Sequence, residues 1–183
     1  MSVYTLPPDL PAPIDDGACD HLVGLAAPEL TLDSSQGPVD LAELAAGRAV
    51  LYVYRRTGHP SRAVPEGWDA IPGARGCSPQ SCGFRDHAAE LGAFGARVAG
   101  VSAQSLDDQV EFAERNRMPF PVVADPELEL KRTLGLPTFT TSGLELYRRM
   151  AWIAENGRIA KVFYPVFPPD RNAEEVVAWL RRR

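Results

Sequence analysis

Apolar and polar positions switch between two periods along the chain, and the switches mark the elements. Ala49-Val-Leu-Tyr-Val-Tyr54 is a continuous run of β-formers, the pattern of a strand buried on both faces. Before it, Leu30-Thr-Leu and Val39-Asp-Leu flank Ser34-Ser-Gln-Gly-Pro38, which predicts a small hairpin within residues 29–41. Residues 78–93 set Phe84, Ala88 and Leu91 on one face and predict a helix; residues 97–102 are the next strand. Helical spacing returns over residues 106–117, with Val110, Phe112 and Ala113 as the apolar positions. Residues 120–124 read as a short strand, and Pro126 opens a third helix that ends at Gly135. Residues 146–154 and 158–164 flank Glu155-Asn-Gly157, a strong hairpin signal. Asn172 caps a final helix with Val176, Val177 and Leu180 apolar.

The order is βαβαβ, then a β-hairpin, then a helix. The first part demands a parallel core with right-handed crossovers, and the hairpin adds antiparallel strands. The expectation is an α/β protein of the thioredoxin-like plan: a central mixed sheet flanked by helices, with an N-terminal hairpin extension. Residues 1–21, rich in proline, form an extended arm, and residues 22–183 form the domain. A long irregular stretch, residues 55–76, ends in Trp68-Asp-Ala-Ile-Pro-Gly-Ala-Arg-Gly76. A loop of that length inside a compact domain is usually functional.

Composition narrows the chemistry. The 183 residues suit one domain with a full core, and a net charge of −5 with no basic block before the last three residues argues against nucleic acid as the main partner. No apolar run approaches the ~20 residues that span a membrane. The N-terminus has neither a basic segment nor an apolar core of a secretory leader, so a cytoplasmic location is expected, without membrane association. Three cysteines in such a chain are not a disulfide framework; a close pair there is more often catalytic or metal-binding.

That pair is Cys77 and Cys82, in Gly76-Cys-Ser-Pro-Gln-Ser-Cys-Gly-Phe-Arg-Asp86. Ser78 and Pro79 are helix-start residues, so Cys77 is placed at a helix N-terminus and Cys82 one turn further in. Free N–H groups and the macrodipole there favour a thiolate. Two other readings use the same residues. Both cysteines could be packing residues, or they could join Cys19 and one of His21, His59 or His87 around zinc, although the spacing is long for such a site. His87 otherwise reads as a surface residue, Cys19 as incidental, and Trp68 and Phe163-Tyr-Pro-Val-Phe167 as packing.

The stretch from Cys77 to Leu91 resembles the active-site helix of peroxiredoxins, most closely the bacterioferritin-comigratory (Q-type) branch of the alkyl hydroperoxide reductase/thiol-specific antioxidant family. Gly24-Leu-Ala-Ala-Pro28, Gly100-Val-Ser102, Asp125-Pro126 and Glu155-Asn-Gly-Arg-Ile159 resemble its flanking elements, so the resemblance covers residues 22–182. It implies that Cys77 is the peroxidatic and Cys82 the resolving cysteine, joined in a redox-active disulfide during turnover. The family arginine falls on Arg148, nine residues before Gly157, with Arg149 adjacent. The family threonine, three residues before the cysteine, is replaced by Ala74; Thr57 is the candidate to supply the hydroxyl, with backbone amides near Gly76 as the alternative.

The implied function is a cytoplasmic thiol peroxidase that reduces hydrogen peroxide and organic hydroperoxides, with no metal or organic cofactor. A thioredoxin-like or glutaredoxin-like reductant would recycle it, and the protein would be a monomer or homodimer. The alternatives are a thiol–disulfide oxidoreductase or a non-catalytic redox sensor using the same pair. Five positions of a continuous helix put two Cα atoms ~8.7 Å apart, whereas a disulfide needs roughly 4.4–6.8 Å. The helix start must therefore melt for the pair to join.

Overall fold

The computed structural model describes residues 6–183; Met1–Thr5 of the expected arm lie outside them. The centre is a five-stranded mixed sheet in the order β5-β4-β3-β8-β9. β3 (Arg48–Val53) is its middle strand, parallel to β4 (Ala96–Ser102), which is parallel to β5 (Val122–Ala124). On its other side β3 runs antiparallel to β8 (Met150–Glu155), which pairs with β9 (Arg158–Phe163). Residues 49–54 are at most 2% exposed, because both faces of the middle strand are covered. Alternation splits them: Ala49, Leu51 and Val53 join one apolar cluster, Val50, Tyr52 and Tyr54 the other.

One face carries α1 (Leu41–Ala45) and α5 (Glu129–Leu134), through Leu41, Leu44, Leu130 and Leu134. The opposite face carries α2 (Cys77–Asp86), α3 (Ala88–Ala93), α4 (Leu106–Asn116) and α6 (Asn172–Leu180), through Phe84, Leu91, Phe112 and Val176. Both cysteines of the pair lie on this second face. The expected N-terminal hairpin is present as β1 (Thr31–Leu32) and β2 (Val39–Asp40). Asn156 and Gly157 both take positive φ, the geometry that the Asn-Gly pair favours in the β8–β9 hairpin.

Four expectations are corrected. The helix expected over residues 78–93 is two, α2 and α3, broken at His87, whose Nδ1 pairs with the Gly83 carbonyl at 2.9 Å. α5 starts at Glu129 rather than Pro126, after Leu128 in the left-handed region; the Asp125 carboxylate accepts from the amides of Glu129 and Leu130. The single strand expected over residues 146–154 is broken at Arg148 and Arg149. Its first part is β7 (Leu144–Tyr147), which pairs with an unforeseen β6 (Thr138–Thr141) around Ser142 and Gly143, both at positive φ. Asn172 does not cap α6 with its side chain; its Oδ1 accepts from Gln80 Nε2 of α2 at 2.9 Å, tying the two helices together. No helix among the described residues is long and apolar enough to cross a membrane.

Candidate active site

The site is built on the turn into α2. Gly76, at φ +106°, directs the chain into the helix, and a Cβ there would stand 2.2 Å from Pro169 Cγ. Glycine meets both demands. Cys77 follows as the first helical residue, and the first intrahelical bond runs from the Gln80 amide to the Gly76 carbonyl at 2.9 Å. Ser78 does not cap: no side chain occupies the cap of α2. Pro79 sits in the first turn, where its missing N–H leaves no intrahelical bond unmade.

Arg149 meets the sulfur. It is 2% exposed, and its Nη2 donates to Cys77 Sγ at 3.0 Å and to the Ala74 carbonyl at 3.3 Å, while Nη1 donates to the Arg75 carbonyl at 3.1 Å. One guanidinium thus fixes both the sulfur and the two residues before Gly76. Ala74 has no hydroxyl, but its carbonyl is 3.9 Å from Sγ and can accept from the thiol. The guanidinium thus sets a cationic donor 3.0 Å from the sulfur.

Two expected positions differ. Arg148 is not at the sulfur: it donates to Asp16 and, at 3.1 Å, to Tyr164 Oη. Those partners hold its proton more tightly than usual, and the Tyr164 and Arg148 bonds lower the Asp16 carboxyl below its ordinary range. Strand alternation explains the swap. Arg149 shares parity with Ala151 and Ile153, which face α2, whereas Arg148 shares it with Met150 and Trp152, which face away. Thr57 is also turned elsewhere: its amide and hydroxyl both donate to Gln104 Oε1, at 2.7 and 3.2 Å.

Cys77 is 3% exposed and edges a cavity of about 230 Å³. Arg56, Val64, Trp68 and Ala74 wall it, so the irregular 55–76 stretch forms much of the chamber over the thiol. Trp68 is buried against Phe139, Ala74 and Leu146, which holds that stretch down. The arm joins in: the Pro11 carbonyl accepts from the Gly73 amide at 3.0 Å, and Leu6 lines the same cavity.

Cys82 lies within α2, 4% exposed, in the apolar cluster of Tyr52 and Phe84, with its Sγ 3.9 Å from Asn116 Oδ1. Unbroken helix separates it from Cys77, so the two Cα atoms are ~8.7 Å apart by helix geometry. No disulfide joins them in this state.

Residues 22–177 match the family described as Redoxin. The chain belongs to that family. This redoxin is 27% identical over 162 residues to chloroplastic Peroxiredoxin Q of Sedum lineare, covering 86% of this chain and 77% of that protein. It is 28% identical over 152 residues to Peroxiredoxin bcp1 of Schizosaccharomyces pombe, covering 81% and 69% of the two. Its fold superposes on the crystal structure of Peroxidoxin BcpB from Mycobacterium tuberculosis with a TM-score of 0.71 at 23% identity, covering 87% and 96%. The Q-type peroxiredoxin resemblance over residues 22–182 is thus matched by the family, its relatives and the fold.

The zinc grouping is not assembled in this redoxin. Cys19 lies on the opposite sheet face from Cys77 and Cys82, with its Sγ 3.7 Å from Met150 Sδ. Burial, reinforced by Asp16, Asp15 and Asp20, pushes the Cys19 thiol up to about 12, so this sulfur stays protonated and inert. Among the described residues no three His, Cys, Asp or Glu side chains gather in a set that could hold a metal. Gln104 and Asp16, which engage Thr57 and Arg148, carried no signal in the sequence, since both act across long separations.

Proposed function

We propose that this redoxin is a thiol peroxidase in which Cys77 attacks the peroxide and Cys82 resolves the product. The observation that carries the reading is the 3.0 Å contact from Arg149 Nη2 to Cys77 Sγ at a helix start that opens on a cavity. The thiolate attacks one peroxide oxygen; the S–O bond forms as the O–O bond breaks. The leaving oxygen takes a proton and departs as water or alcohol, and Cys77 becomes a sulfenic acid. Arg149 and the free amides of the first turn of α2 supply donors for the charge that moves from sulfur to oxygen.

Cys82 then attacks the sulfenic sulfur, water leaves, and an intramolecular disulfide forms. Helix geometry forbids that bond while α2 is intact, so the first turn opens and Cys82 leaves its apolar cluster. A thioredoxin-like or glutaredoxin-like dithiol reduces the disulfide by exchange. The test is peroxide turnover coupled to a thioredoxin system. Cys77→Ser abolishes reaction with peroxide; Cys82→Ser keeps one oxidation per chain but loses coupled turnover. Full turnover in Cys77→Ser overturns the assignment.

A further inference from the structure

A larger cavity, about 490 Å³, lies behind the thiol loop and does not include Cys77 among its walls. Ile14, Ile71, Phe139 and Val166 give it apolar sides, and Arg55 and Arg149 give it charge. Arg55 is 5% exposed. Its Nη2 donates to the Pro72 carbonyl at 2.8 Å, and its guanidinium carbon lies 4.5 Å from the Phe139 ring centroid. Its Nε and Nη1 are buried with no acceptor among the described residues, and so is Arg149 Nε. Buried polar groups are normally paired, and a charged donor is the costliest to leave alone.

The lining holds a third arginine, Arg148, but a single carboxylate, Asp16, which Arg148 and Tyr164 already engage. The cavity is therefore cationic in a protein of net charge −5. Burial and the neighbouring Arg149 charge lower Arg55 to about 10, as expected for a desolvated cation without a counter-charge.

We propose that this cavity is a binding site for a small organic carboxylate with an apolar body. The unpaired Nε and Nη1 of Arg55, on opposite edges of its guanidinium, each offer a single charged donor to a carboxylate oxygen, and Arg149 Nε adds a further donor. The aromatic and aliphatic walls fit an apolar remainder and would leave a fully hydrated phosphate without partners on most sides. An occupant that accepts from Arg149 Nε contacts the same guanidinium whose Nη2 reaches Cys77, although Cys77 is not among the cavity's walls. The proposal goes beyond the peroxidase reading and does not depend on it.

The test is calorimetric and thermal-shift titration of the full chain with phenylacetate, with phenylacetamide and inorganic phosphate as comparisons. Saturable one-to-one binding of phenylacetate is expected, raising Tm by about 3–6 °C at ten times Kd. Phenylacetamide and phosphate should bind at least tenfold more weakly. Arg55→Gln should weaken phenylacetate at least tenfold. Ile14→Glu sets a negative charge at the mouth, at a residue 84% exposed and tolerant of change, and should also weaken it even if Arg55→Gln does not fold. Cys77→Ser should bind as wild type. Absence of saturable binding, equal binding of the amide or phosphate, wild-type affinity in Ile14→Glu, or loss in Cys77→Ser each overturns the proposal.

Discussion

The two adjacent arginines before β8 allow a sharp comparison. Arg149→Gln removes the guanidinium that donates to Cys77 Sγ at 3.0 Å, together with its bonds to the Ala74 and Arg75 carbonyls. Loss of one preorganised donor to developing charge costs about 10²–10³ in rate, or roughly 2.7–4 kcal/mol of transition-state stabilisation. The two carbonyls left without this donor add a stability loss of about 1–3 kcal/mol. At ~2–4 °C per kcal/mol for a chain of this size, the variant melts several degrees lower and still folds at 25 °C. Arg148→Gln breaks a half-exposed, solvent-screened pair with Asp16 and touches nothing at the sulfur. Its rate of oxidation should fall less than ~5-fold. The assay is stopped-flow fluorescence with excess hydrogen peroxide, because Trp68 walls the same cavity as Cys77. Near-wild-type oxidation in Arg149→Gln, or a larger loss in Arg148→Gln, would rule out Arg149 as the group that serves the sulfur.

Three further outcomes follow from the same geometry. Amide protection across residues 77–86 should fall when the wild type is oxidised and stay high in oxidised Cys82→Ser, as read by hydrogen exchange; equal protection in both states would sink the opening of α2. Gly76→Ala should cost about 1–3 kcal/mol, since its Cβ meets Pro169 Cγ at 2.2 Å and φ is +106°; a denaturation midpoint equal to wild type contradicts this. Asp16 is held below the usual carboxylate range by Tyr164 and Arg148, so its contribution to stability is complete above the unfolded value near ~3.9 and is lost as pH falls through the lower folded value. Asp16→Asn should therefore melt below wild type at neutral pH, with the gap closing under acid; a gap that persists at pH ~2 counts against the link.

Local pattern carried most of the fold. The buried run at residues 49–54, the Asn-Gly turn and the paired arms of β1 and β2 each have a short-range signature, and each appears where that signature placed it. The β6–β7 hairpin escaped because Thr-Ser-Gly-Leu lacks an Asn-Gly or Asp-Gly signal, and its strands are largely half-exposed rather than alternating cleanly. Asp125 delayed α5 by a side-chain cap that Pro126 masked. At the site, the Cys-Ser-Pro pattern located the helix start, but Ser78 does not fill its cap, which no side chain occupies. The Arg148/Arg149 choice was open to counting back from Gly157 and closed by parity with Ala151 and Ile153, a signal present in the sequence but readable only once β8 had a face. Arg55 gave no signal of a cavity, because its partners Pro72 and Phe139 meet it only in the folded chain.

The most direct test of Cys77 as the peroxidatic thiol treats Cys82→Ser with one equivalent of hydrogen peroxide in the presence of a sulfenic acid trap and maps the adduct by peptide mass spectrometry. Trapped sulfenic acid is expected on Cys77, beside Arg149, with Cys19 unmodified in its buried position. An adduct on Cys19, or none on Cys77 after the peroxide has been consumed, would contradict that role.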